Sequence, residues 1–124
     1  MKRLSLFLYS DIVGMKVYDE FDDNIGQLKD VYVTTEDGNP KFIGYRLKKD
    51  GHYIDYEFKS IRFYLQDNNS IRITVRGARE IIAQRYSYLL SKNLLDKKIV
   101  DINGKKVVTV RDLRVVEIAG EYRV

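Results

Sequence analysis

Side chains that usually carry catalysis are scarce in this chain. It holds one histidine, His52, and no cysteine, so a hydrolase triad or a Cys–His pair is hard to assemble. His52 follows the turn signal Lys49-Asp50-Gly51 and reads as a turn-flanking surface residue. A zinc site would need several His or Cys ligands. A phosphate-cradling loop would need clustered glycines, whereas Gly14, Gly26, Gly38, Gly44, Gly51 and Gly77 are scattered at turns and strand starts. The run Asp19-Glu20-Phe21-Asp22-Asp23 is the one candidate for a hard cation, since magnesium takes one or two carboxylates plus water. Acids at a hairpin tip stay solvated, so no catalytic residue, metal or cofactor is expected.

Binding chemistry has more material. Ten tyrosines could stack bases if arginines lie between them on one face. The residues that would do this are Tyr53, Arg62, Tyr64, Arg72 and Arg76; Tyr45 and Tyr56 fall at inward parity and read as core. The formal charge is +4, with the basic excess in residues 51–124. It forms no dense Lys/Arg cluster, so a solvated surface is the simpler reading.

Strands must position these residues. Ile71, Ile73 and Val75 alternate with Arg72, Thr74 and Arg76, the pattern of a half-buried strand. Ile43, Tyr45 and Leu47 alternate with Phe42, Gly44 and Arg46, and Ile54, Tyr56 and Phe58 with Tyr53, Asp55 and Glu57. Between these two runs Asp50-Gly51 favours the type I′ turn of a tight hairpin. Further turns fall at Asp22-Asp23-Asn24, Asp37-Gly38-Asn39-Pro40 and Gln66-Asp67-Asn68-Asn69. Leu28 and Val31-x-Val33 lie on opposite parities, so a β-bulge near Lys29-Asp30 is needed to bury all three. Val110 and Leu113-x-Val115 show the same break near Arg111-Asp112. The aspartate at each break is expected to bond the freed backbone amides. Helix is scarce: Gly77–Gln84 is a linking helix, and Ser10-Asp11-Ile12-Val13 and Lys92-Asn93-Leu94-Leu95 read as single turns, with Ser10 or Asp11 as cap.

The chain repeats itself. A shift of 82 residues aligns it with its own start without a gap. Lys16-Val17-Tyr18-Asp19 falls on Lys98-Ile99-Val100-Asp101, and Leu28-Lys29-Asp30-Val31 on Val110-Arg111-Asp112-Leu113. Gly38 falls on Gly120. The expected fold is all-β: a small barrel over 1–76, a linking helix over 77–84, and the first half of a second barrel over 85–124.

Ser10-Asp11-Ile12-Val13-Gly14-Met15-Lys16-Val17-Tyr18-Asp19, followed by Asn24-Ile25-Gly26-Gln27-Leu28-Lys29-Asp30-Val31, resembles the opening of a PRC-barrel domain. Residues 42–75 are similar to the rest of that barrel. Leu94–Val108 resembles the second barrel of proteins that place two such barrels ahead of the intracellular and CBS regions related to MgtE-type magnesium transporters. The resemblance implies a prokaryotic, cytoplasmic adaptor or regulatory barrel without catalytic residues. Relatives occur in the photosynthetic reaction centre H subunit and in ribosome maturation factors.

Half a barrel leaves an apolar face and an unpaired strand edge. Segment 83–124 must therefore dock on its own chain, on a partner copy as an intertwined homodimer, or on downstream sequence. Self-association through these edges is the preferred expectation. The functional expectation is a non-catalytic protein-interaction or regulatory module, part of a magnesium-transport-related assembly; the alternative is an RNA- or ribosome-associated barrel. No run reaches the roughly 18 apolar residues that would span a bilayer, so the chain reads as soluble; the lack of cysteine fits the cytoplasmic address that the resemblance implies.

Overall fold

The computed structural model describes residues 1–35, 40–58, 61–78, 87–93, 98–100, 107–109 and 112–124. In chain order the strands are β1 (Lys2–Arg3), β2 (Leu6–Leu8), β3 (Lys16–Tyr18), β4 (Asn24–Thr34), β5 (Lys41–Lys49), β6 (His52–Glu57), β7 (Arg62–Leu65) and β8 (Ile71–Thr74). They continue as β9 (Ser87–Leu89), β10 (Lys98–Val100), β11 (Val107–Thr109), β12 (Arg114–Ile118) and β13 (Glu121–Arg123). A 3-10 turn spans Tyr9–Asp11, and one helical turn, α1, spans Leu90–Asn93. The chain is all-β, as its alternation and turn spacing predict.

The centre of the sheet is set by local chemistry. Asp50 and Gly51 have φ of 53° and 81°, as a type I′ turn requires of both central residues. That turn fixes the β5–β6 register, placing Lys49 opposite His52, Lys48 opposite Tyr53 and Arg46 opposite Asp55. The pairing of β4 with β5 shifts between Leu28 and Asp30, so Lys29 is the extra residue of the expected bulge. With it in place, Leu28, Val31 and Val33 are all buried. A second shift lies between Tyr32 and Val33 and makes Ile43 extra on β5. The alternation read from sequence pointed Ile43 inward; the second bulge turns Phe42 into the core instead.

The second unit docks on its own chain. β2 pairs with β12, β9 with β4, and β13 with β5. The described strand edges of the half-barrel are thus paired within the chain at β12 and β13. The hydrogen-bonded path runs β1-β7-β8-β3-β4-β5-β13-β12-β2. Its two ends belong to one continuous stretch, since Leu4 N–H bonds the Phe63 carbonyl and Glu117 N–H bonds the Ser5 carbonyl. Residues 2–8 therefore close the sheet on itself. β10 and β11 form a separate two-stranded sheet.

These pairings confirm the repeat at the level of register. Lys16 opposite Gln27 recurs as Lys98 opposite Thr109, and Thr34 opposite Lys41 recurs as Val116 opposite Arg123. Where β5 meets β13, Lys41 faces Arg123, its own counterpart. A residue that faces its counterpart marks a local two-fold relation, the self-complementary geometry of an isologous interface built within one chain. The gapless alignment needs one correction. Leu8 pairs with Arg114, whereas Leu89 pairs with Tyr32, so the strand preceding each turn matches at 81 residues and the strand it pairs with at 82. The helical turn of the second unit is one residue longer than the 3-10 turn of the first, which accounts for the step. Both turns also begin earlier than expected, at Tyr9 and Leu90. Gly77 has φ of 66° and starts no helix; the rest of the expected linking helix, apart from Ala78, lies outside the described residues, as do Leu94 and Leu95, Asp37–Asn39 and Asn103-Gly104.

The core is aromatic and shared. Tyr122 of β13 is 1% exposed, with its ring 5.1 Å from Phe63 and 5.5 Å from Phe58. Phe7 lies 4.7 Å from Phe63, and Tyr45 lies 5.6 Å from Tyr56. Tyr122 thus fills the space between strands of the first unit. Truncating it to alanine should cost about 3–5 kcal/mol and lower a single cooperative thermal transition, read by circular dichroism; loss of β13 signals with an unchanged first unit would contradict the shared core. In the β12–β13 turn Ala119 sits at φ 52°, a left-handed conformation that costs a non-glycine residue about 1 kcal/mol. Ala119→Asn should raise stability by about 0.5–1 kcal/mol in denaturant titration.

Candidate functional site

Two aspartates lock the units together. Asp30, at the bulge of β4, is 6% exposed. Its Oδ1 accepts hydrogen bonds from Val31 N–H at 2.9 Å, Ser91 N–H at 2.6 Å and the Tyr9 hydroxyl at 3.1 Å. Its Oδ2 accepts from Lys92 N–H at 3.1 Å. Ser91 Oγ lies 2.7 Å from the Tyr9 oxygen and donates to it, because the tyrosine proton is given to Asp30. Burial pushes the Tyr9 phenol well above its ordinary pKa.

Asp112 repeats the arrangement. Its Oδ1 accepts from Leu113 N–H at 2.8 Å and Ser10 N–H at 3.1 Å, and its Oδ2 from the Ser10 hydroxyl. Each of the two aspartates therefore bonds its own following amide, as the sequence predicts, and also caps the first turn of the other unit, which the sequence did not reveal; Val110 and Arg111, where the second bulge is expected, lie outside the described residues. The anticipated caps, Ser10 and Asp11, act differently: Ser10 donates to Asp112, and Asp11 reaches back to Leu8 N–H at 3.0 Å. Partial desolvation works to raise the Asp112 carboxyl, and the bonds from Ser10 and Leu113 outweigh it, holding its pKa below the usual carboxylate range.

On the outer face of β4–β5–β6 a polar cluster forms. Arg46 Nε donates to Asp55 at 2.8 Å, and the Arg46 guanidinium donates to the Tyr32 hydroxyl at 2.9 Å. Tyr32 donates to Asp55 at 2.8 Å. The guanidinium also lies 5.5 Å from the Tyr53 ring centroid and 5.7 Å from that of Tyr32, within cation–π range. Desolvation raises the Asp55 carboxyl, and the hydrogen bonds and charge of Arg46, with Tyr32, bring it below its ordinary value. Periodicity placed Arg46 and Asp55 outward, and the Asp50-Gly51 register is the signal that could have paired them.

The remaining sequence candidates separate. Asp19 Oδ1 accepts from Phe21 and Asp23 N–H, both at 2.9 Å, closing its own turn. Glu20 accepts from Gly77 N–H, and Asp22 meets Arg72 at 3.2 Å. Among the described residues no three His, Cys, Asp or Glu side chains converge as a metal site. His52 is exposed beside the turn. Tyr45 is fully buried and Tyr56 packs on the core. Tyr64 lies directly opposite Arg72, and Arg62 opposite Thr74, so these share an outer face. Arg62, Tyr64 and Arg76 line a groove of about 370 Å³ that also carries Asp19 and Glu20. Tyr53 lies on β6, across the sheet from them.

Asp30→Ala would strand the buried Val31 amide and Tyr9 hydroxyl and the part-buried Ser91 and Lys92 amides, and should destabilise the fold by roughly 3 kcal/mol. Asp112, whose folded pKa is depressed, stabilises the fold above its unfolded pKa and loses that contribution as pH falls through the folded value. The stability gap between wild type and Asp112→Asn should therefore be full at pH 7 and close on titration below pH 4; a gap independent of pH would contradict this role.

Comparison with known protein families matches residues 5–80 to the PRC-barrel domain. No curated protein and no solved structure matched. The matched stretch holds β2 through β8, including the bulge at Asp30 and the Asp50-Gly51 hairpin; β9, β12 and β13, which complete its core, lie beyond it. With a closed all-β sheet and a match over more than half its length, the chain belongs to the PRC-barrel domain family.

Proposed function

We propose that the chain is a non-catalytic protein-interaction and regulatory barrel, and that the outer face of the β2–β12 pair is its contact surface. The carrying observation is an apolar strip. Leu6 is 57% exposed, Leu8 43% and Ile118 56%. Leu6 lies opposite Val116, which shares an outward parity with Ile118. Adjacent exposed aliphatics of this kind mark a protein contact. A strand pair offers them to a second copy of the chain, giving a homodimer, and to a larger assembly. The tandem-barrel resemblance makes a magnesium-transport-related protein, in a prokaryotic cytoplasm, the candidate host. Among the described residues no helix is long and apolar enough to cross a membrane.

Sedimentation across a wide concentration range tests the reading. Wild type should show a concentration-dependent dimer. The double substitution Leu6→Glu and Ile118→Glu should return it to monomer with an unchanged melting temperature, because both side chains face outward. A strict monomer at every concentration would contradict the dimer.

A further inference from the structure

The strand registers join residues far apart in sequence into one outward row. Arg3 lies opposite Tyr64, and Tyr64 opposite Arg72. In the parallel β3–β8 pair Val17 faces Ile73, which puts Lys16 beside Arg72. Lys16 lies opposite Gln27, Gln27 opposite Lys48, and Lys48 opposite Tyr53. The row crosses seven strands with four cations, two tyrosines, one amide and no acid. Lys16, Gln27, Lys48 and Tyr53 are exposed.

Ring and cation are coupled along it. The Arg72 guanidinium sits 4.0 Å from the centroid of Tyr18, two residues along the strand from Lys16 and on the same face, and Lys48 Nζ lies 5.8 Å from that of Tyr53. Lys16, Tyr18 and Arg72 line one groove of about 290 Å³. Arg72 meets Asp22, whose side chain is 86% exposed, and an ion pair that open holds weakly; Arg3 is held more firmly by Glu117, whose side chain is 15% exposed. Lys16 and Lys48 have no carboxylate partner among the described residues.

From this belt we infer that the barrel binds single-stranded nucleic acid along its outer circumference. Cations one or two strands apart along the row can meet phosphates of one strand, and the rings of Tyr64, between Arg3 and Arg72, and Tyr53, beside Lys48, give bases a sequence-tolerant platform. Strand spacing of about 4.8 Å makes the belt roughly 29 Å of curved surface. A flexible single strand follows such a curve, and a duplex, stiff over about 150 base pairs, does not. The belt's central strands carry none of the apolar strip of β2 and β12, so this activity is independent of the interaction reading above.

The test is fluorescence anisotropy of a labelled oligouridylate with the full chain, titrated at several salt concentrations. Two to four phosphate contacts predict a slope of log affinity against log salt between about −1.4 and −2.8. Lys16→Glu with Lys48→Glu should weaken binding at least about tenfold and flatten the slope by about 1.4, with an unchanged melting temperature. Tyr53→Ala should weaken it about tenfold through lost stacking. Absence of binding at low salt, binding untouched by the double substitution, or equal affinity for a duplex of the same length would each overturn the inference.

Discussion

A carboxylate taken out of water must find donors, and at Asp30 that requirement ties the two halves of this chain together. The bulge at Lys29 brings Leu28, Val31 and Val33 to one face, and the aspartate beside it is 6% exposed. Its own strand supplies one donor, the Val31 amide. The others are the Tyr9 hydroxyl and the Ser91 and Lys92 amides. Those two amides are orphans of a helical turn, which has no partner within itself for its first N–H groups. Two deficits cancel, a buried anion and an uncapped turn, and neither unit can cancel both alone. Asp112 and Ser10 repeat the exchange in reverse. Docking of the second unit is thus a condition on the core of the first.

The same geometry makes the molecule behave as a dimer folded from one chain. β2 pairs with β12 and β9 with β4, so each unit's strand before the turn crosses to the other unit, and Lys41 faces Arg123 at the local axis. Tyr122 then seals the aromatic interior. Family membership covers residues 5–80, yet the core includes Leu90, Val115 and Tyr122. The proposed contact surfaces lie outside this interior, on faces that the closed sheet leaves to solvent: an apolar strip on one strand pair and a basic and aromatic belt around the others.

What the sequence made legible follows from where the information is local. Asp50-Gly51 specifies its own turn type, and a two-residue turn specifies every pair beyond it, so Arg46 with Asp55 and Lys48 with Tyr53 follow. The parity break at Leu28 and Val31 announces a bulge because three apolar side chains cannot otherwise share a face. The bulge at Ile43 carries no such signal, since Phe42 and Ile43 are both apolar and either could point inward. The one-residue step between the repeats is silent in pattern matching, as it depends on whether a turn closes as 3-10 or α. Pairing between Asp30 and Ser91 is a contact across 61 residues, set by topology and not by neighbours. Residue type singles out three members of the belt, Tyr53, Tyr64 and Arg72, but the row as a whole comes from seven strands, and only registers connect it.

Native-state hydrogen exchange at the amides of Ser10, Ser91 and Lys92 tests the interlock most directly. If the two units fold as one, these amides exchange only through global unfolding, with the same free energy and denaturant dependence as core amides of β4 and β5. Exchange of Ser91 and Lys92 through a cheap local opening, while Val31 and Tyr45 stay protected to the global limit, would contradict it and leave the second unit an attachment to an independent barrel.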